Sequence, residues 1–153
     1  MSVTINNARA SKENKVLRIE NQVIDDEAGD AVTWFASNQR QVYFVNCSFL
    51  NTGKWILSDF PSVSKIGFIR CNLSCDVLKE LLVSNNPHND IEVLDLTGND
   101  LGKDPERFVD ILKDSIYRVK KIEELILVDN GFDESVVSLF KGALGWFIGK
   151  IYF

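Results

Sequence analysis

One histidine, three cysteines and three prolines in 153 residues leave little material for several kinds of chemistry. A nucleophilic relay needs an imidazole placed beside a nucleophile and an orienting acid. The one histidine, His88, falls in the turn-rich run Asn86-Pro87-His88-Asn89-Asp90, and no nucleophile signature accompanies it. It reads as a solvent-exposed loop residue. Cys47, Cys71 and Cys75 are too few and too badly spaced for a metal site without more histidines. An odd count without a secretory context points to reduced thiols and a cytoplasmic setting. Glycines occur at turns, but none builds a phosphate-binding loop. Acidic residues are scattered, with no pair set for general acid–base work. No catalytic residue, metal or cofactor is therefore expected, and the chain reads as a non-enzyme.

Basic residues are also short. Lys and Arg number 17 against 22 Asp and Glu, giving a net charge of -5 and a pI near 4.9. That balance speaks against nucleic acid or an anionic membrane surface as partner. Long apolar runs are missing too. Nothing approaches the roughly 20 residues of a transmembrane helix, so membrane insertion is not expected. The stretch from Met1 to Lys15 is polar and lacks the apolar core of a secretory signal. What remains is ordinary globular composition, 45% hydrophobic and 25% charged, at a length that suits a single domain with a sizeable core.

The chain does contain a recurring phrase. It reads Ile91-x-x-Leu94-x-Leu96-x-x-Asn99-x-Leu101, then Ile122-x-x-Leu125-x-Leu127-x-x-Asn130-x-Phe132. An earlier copy is Val63-x-x-Ile66-x-Phe68-x-x-Cys71-x-Leu73. Two weaker copies precede it, Val42-x-Phe44-x-x-Cys47-x-Phe49 and Leu17-x-Ile19-x-x-Gln22-x-Ile24, with the polar openers Gln39 and Asn14. The ninth place, here called the ladder place, falls at Gln22, Cys47, Cys71, Asn99 and Asn130, in steps of 25, 24, 28 and 31 residues. Ile151 and Phe153 fill the strand-core places of a closing half copy.

Alternating apolar residues such as Leu94 and Leu96 put one face of a short strand into a core. The ladder residue ends the strand, and its amide or thiol is expected to cap buried backbone groups of the next turn. Between strands the spacing predicts helices. Asp104-Pro105 is an N-cap followed by proline at the first helical place, with Phe108, Leu112, Ile116 and Val119 on one face. Asp133 opens another, with Val136, Phe140, Ala143, Leu144 and Phe147 inward. Ser74 caps a third around Leu78, Leu81 and Leu82. Ala28, Ala31, Val32 and Phe35 mark a fourth. The segment Leu50 to Pro61 holds Gly53 and predicts a brief helix or turns.

These residues resemble the leucine-rich-repeat pattern, and specifically its ribonuclease-inhibitor-like class, through alternating Asn and Cys at the ladder place and steps near 28. The resemblance implies an α/β solenoid of about five and a half repeats, with a parallel sheet on a concave face and helices on a convex one. It covers one domain, 1–153, with units near 14–38, 39–62, 63–90, 91–121 and 122–147 and a half unit at 148–153. Gln22 and the short second unit depart from the class. The resemblance also implies a protein-recognition scaffold and leaves the partner open.

Strand alternation nominates a binding face. One lateral row holds Val45, Ile69, Thr97 and Val128. A second holds Tyr43, Asp95, Ile126 and Tyr152, with Gly67 leaving a gap. Tyr43, Val45, Ile69, Asp95, Ile126 and Val128 are the candidate contacts for a protein or peptide partner. Strand propensity alone would also choose Val, Ile and Tyr here. Two alternatives stay open. One is a regulator acting on a partner enzyme such as a GTPase, through Arg18, Arg40 or Arg70. The other is a homodimer through Ile151, Tyr152 and Phe153, where the last strand has no cap after it. Trp34, Trp55 and Trp146 read as packing between units. The cysteines read as structural, and Cys75, near a helix start, is the one thiol whose reactivity calls for a test.

Overall fold

The computed structural model describes residues 8–11, 15–36, 38–50, 63–82, 91–115 and 121–153. In chain order the elements are β1 (Ala8–Ser11), β2 (Val16–Glu20), β3 (Val23–Ile24), α1 (Asp26–Ala36), β4 (Gln41–Val45) and β5 (Ser48–Phe49). They continue with β6 (Lys65–Ile69), α2 (Cys75–Leu82), β7 (Ile91–Asp95), α3 (Pro105–Ser115), β8 (Ile122–Ile126), α4 (Glu134–Leu144) and β9 (Ile148–Tyr152). The fold is α/β. Its main sheet runs β1-β2-β4-β6-β7-β8-β9 and stays open, with β1 and β9 at its edges. Six strands are parallel. β1 alone pairs antiparallel, with Ala10 opposite Leu17. β3 and β5 form a separate two-stranded parallel ribbon.

The phrase explains the register. Leu17, Val42 and Ile66 stand side by side, as do Ile19, Phe44 and Phe68. Leu94 stands beside Leu125. All are buried, together with Leu96 and Leu127 and the openers Val63, Ile91 and Ile122. Helix residues Val32, Leu78, Phe108, Leu112, Val136 and Phe140 complete the same cluster. Each such large side chain contributes about 1.5–3 kcal/mol by leaving water. Phe44 and Phe68 stack with centroids 5.3 Å apart, and Phe49 meets both edge-on. Phe147, assigned to the last helix face by spacing, is buried in the turn that follows α4.

Each of the four described α-helices begins at a side-chain acceptor. Ala28 N–H donates to Asp25, Val77 N–H to Ser74 Oγ, Arg107 N–H to Asp104 and Ser135 N–H to Asp133. These bonds satisfy donors that a first helical turn leaves open. The openings expected at Ser74, Asp104 and Asp133 are therefore in place. Asn14, Gly53, Trp55, His88, Ile116 and Val119, and the expected brief helix or turns between Leu50 and Pro61, lie outside the described residues. So do the side chains of Leu81 and Leu82.

The ladder residues work in the direction opposite to the one expected. Asn99, 3% exposed, accepts from the N–H groups of Cys71 and Leu73 and donates to Phe68 O, all in the preceding unit. Asn130 accepts from Asn99 N–H and Leu101 N–H and donates to Leu96 O. Cys71 Sγ donates to Phe44 O and Cys47 Sγ to Ile19 O, again backwards along the chain. The side chain points towards the strand already laid down. A thiol can donate but is a poor acceptor, so the two cysteine rungs are weaker than the two asparagine rungs.

Candidate functional site

The face of the sheet away from the helices is where the candidate contacts collect. Register places Arg18, Tyr43, Gly67, Asp95, Ile126 and Tyr152 in one lateral row. A second row begins Glu20, Val45, Ile69. It continues to the turns at Thr97 and Val128, tied by Arg70 N–H to Thr97 O (2.8 Å) and Gly98 N–H to Val128 O (2.9 Å). Both rows are therefore brought together as the alternation predicts. Tyr43, Ile69, Asp95 and Ile126 are half-buried, and Val128 and Tyr152 are exposed.

Two details differ from expectation. Val45 is only 6% exposed, so it fills space and offers little contact surface. The gap at Gly67 is closed. A Cβ on Gly67 would lie 2.6 Å from Tyr43 Cδ1, which means that the tyrosine ring covers the glycine. Tyr43 thus spans two strands, its hydroxyl donating to Gln41 Oε1 at 2.9 Å. Burial pushes its phenol above the ordinary range. Lys65 works against that, while Asp95 and Glu92 add to it. Asp95 is tied down, its Oδ1 accepting from Thr97 N–H (3.0 Å) and Thr97 Oγ1 (2.6 Å). It presents a carboxylate held in place between Gly67 and Ile126 in the row.

The turns after the strands repeat one backbone conformation. The residue before each ladder place has positive φ: Asn21, Asn46, Arg70, Gly98 and Asp129, with φ from 51° to 75°. Asn, Asp and Gly tolerate that region, and arginine does so at a cost. The signal was present in the sequence as the Asn, Gly or Asp preceding the ladder residue. Arg70 is the exception. It is exposed, and its Cγ lies 2.8 Å from where a Gly98 Cβ would stand, so its stem lies along the next turn. Of the other arginines, Arg18 is paired with Glu20 at 2.6 Å. Arg40 sits at the opposite rim, before β4.

The tryptophans also depart from expectation. Trp34 and Trp146 are 70% and 69% exposed, so packing between units does not cover them. Trp34 meets the ring of Phe35 edge-on, and Trp146 lies at a tilt to that of Phe147. Cys75 does open α2, but burial raises its thiol above the ordinary range, outweighing Arg107. The hydrogen bond with Cys47, and then burial, hold the Cys71 thiol well above its ordinary value. Among the described residues no three His, Cys, Asp or Glu side chains converge as metal ligands, and no helix is long and apolar enough to cross a membrane.

At the last strand, Phe153 packs its ring against Phe140 (5.5 Å) and Phe132 (6.1 Å). Ile151 is half-buried, and Tyr152 reaches back to Glu124 Oε1 at 3.4 Å. Comparison with known proteins finds no matching family model, no matching curated protein and no matching solved structure.

Proposed function

We propose that this chain is a leucine-rich-repeat scaffold, similar to the ribonuclease-inhibitor-like class, that binds a protein or peptide on the open face of its sheet and does no chemistry itself. The observation that carries the reading is the pair of lateral rows: Tyr43, Ile69, Asp95, Ile126 and Val128 share one face across four strands and the turn after the last of them. The backward-reaching rungs at Asn99 and Asn130 support the repeat reading. Strand-borne side chains are ordered before a partner arrives, so little conformational entropy is lost on binding. Tyr43 supplies a rigid aromatic surface, Ile69, Ile126 and Val128 supply apolar area, and Asp95 supplies one fixed charge that selects a donor or cation.

The test is a selection of displayed peptides on the wild-type chain, followed by measurement on Ile126→Asp/Val128→Asp. Both positions are half-buried or exposed, so the variant retains its fold by circular dichroism. Selected peptides should lose about a hundredfold in affinity, as a desolvated carboxylate pair at an apolar contact requires. Unchanged affinity in the variant would place the binding site elsewhere.

A second reading, regulation of a partner enzyme, is favoured by Arg70 alone. It places an exposed guanidinium at the turn after β6, beside the end of the open face, where it can reach a bound partner. Arg70→Ala would then change a partner's turnover without changing its affinity.

A further inference from the structure

The rim at the start of the strands carries a charge pattern that the open-face reading does not use. The residues just before β2, β4, β6, β8 and β9 are Lys15, Arg40, Ser64, Lys121 and Phe147. By strand register Lys15, Arg40, Ser64, Glu92, Glu123 and Gly149 stand in one lateral line. The line is held by backbone bonds, with Arg40 N–H donating to Lys15 O, Ser64 N–H to Arg40 O and Glu92 N–H to Ser64 O. It runs from two cations to two carboxylates. The acidic end holds a cavity of about 370 Å³ lined by Glu92, Glu123, Glu124, Lys121, Gly149 and Lys150.

The basic end holds a larger cavity, about 500 Å³, lined by Lys15, Asn38, Arg40 and Ser64. In a chain of net charge -5 this is a local reversal of sign. Arg18, Lys65, Lys103 and Arg107 are each held by a carboxylate: Glu20, Glu92, Asp100 and Asp76 respectively. Neither Lys15 nor Arg40 forms an ion pair among the described residues. The same turn carries Gln39, whose Oε1 is the one buried side-chain polar atom without a partner among the described residues.

We infer that this cavity is a binding site for a phosphate monoester, formed by Lys15, Asn38, Arg40 and Ser64. The donor set selects the ligand. An ammonium, a guanidinium fork, a side-chain amide and a hydroxyl offer more donors than the two oxygens of a carboxylate accept, and they match a phosphoryl group with three oxygens. A volume of this size holds the phosphoryl group together with a small organic portion. The carboxylates farther along the rim oppose a long polyanion, so the ligand is a single phosphate group and not a nucleic acid. The site is separate from the open face, because it sits at the beginnings of the strands and its cations precede the two contact rows.

Titration of the isotopically labelled chain with inorganic phosphate, phosphoserine and acetate, followed by amide chemical shifts, tests the assignment. Saturable shifts should cluster at Lys15, Asn38, Arg40 and Ser64 and leave Glu92 and Glu123 unmoved. Both phosphate probes should bind about tenfold more tightly than acetate. Tighter binding of phosphoserine than of inorganic phosphate identifies an esterified ligand that uses the rest of the cavity, and equal binding identifies free phosphate. Lys15→Gln/Arg40→Gln should lose the binding, and Lys150→Gln should keep it. All three side chains are exposed, so folding is unaffected. Shifts that do not saturate, that appear equally at Lys121 and Lys150, or that persist in the double variant would overturn the site.

Discussion

Replacing Asn99 with alanine removes the acceptor for two buried N–H groups, those of Cys71 and Leu73, and the donor to Phe68 O and Leu96 O. Asn99 is 3% exposed, so water does not replace the lost amide without opening the turn. A buried backbone group left without a partner costs about 1–3 kcal/mol. Partial relaxation of the turn recovers some of that, and the expected loss for Asn99→Ala is about 3–5 kcal/mol. That is a large share of a typical native stability of about 5–15 kcal/mol. Cys47→Ala removes only a weak thiol donor, 3.5 Å from Ile19 O and from Val45 O, and should cost about 1–2 kcal/mol, mostly as lost packing. Asn99→Cys keeps a donor, loses the acceptor and should fall between the two. Urea unfolding followed by tryptophan fluorescence gives all three values, provided the slope with denaturant stays constant across the series. A cost for Asn99→Ala no larger than that for Cys47→Ala would refute the reasoning, because the acceptor role of the amide would then carry no weight.

Two further outcomes follow from geometry and charge. Gly67→Ala forces the Tyr43 ring off the sheet and should cost about 1–3 kcal/mol as an overpacked site. In a Tyr43→Ala background most of that cost should vanish, and strictly additive effects in the double-mutant cycle would show that the ring does not cover Gly67. Asp133 caps α4 while bonded to Ser135, which holds its carboxyl below the ordinary range. A depressed folded value means that the cap stabilises above the unfolded carboxylate pKa and that this contribution fades as pH falls through the folded value. Carboxyl chemical shifts should place the Asp133 titration below those of ordinary aspartates, and Ser135→Ala should move it up. An unmoved titration in that variant would remove Ser135 as the cause.

Much of the sheet was legible because its physics is local. Leu94 and Leu96, or Val42 and Phe44, alternate with period two, and a strand buried on one face leaves no other arrangement for them. Helix starts were legible at Ser74, Asp104 and Asp133 because a capping oxygen acts within three residues of its partner. β1 escaped notice, since Ala8 to Ser11 alternates only two small alanines with Arg9 and Ser11, and its pairing with β2 gives it order. The β3–β5 ribbon escaped for the same reason: two residues make no pattern until a neighbour at Ser48 and Phe49 completes it.

The candidate contacts divide in the same way. Sequence alternation alone determined that Tyr43, Asp95 and Ile126 share a face, because side-chain direction along a strand follows from parity. Only the tertiary structure decided what each contact meets. Val45 is covered, Tyr43 lies over Gly67, and Trp34 and Trp146 stand in solvent, and each outcome depends on side chains one or more strands away. The direction of the ladder was settled there too. An asparagine at the end of a strand is equally able to reach forwards or backwards until the preceding turn places its open N–H groups within 3.2 Å. The basic cavity has no signal along the chain, because Lys15, Arg40 and Ser64 are joined only by the parallel register of three strands.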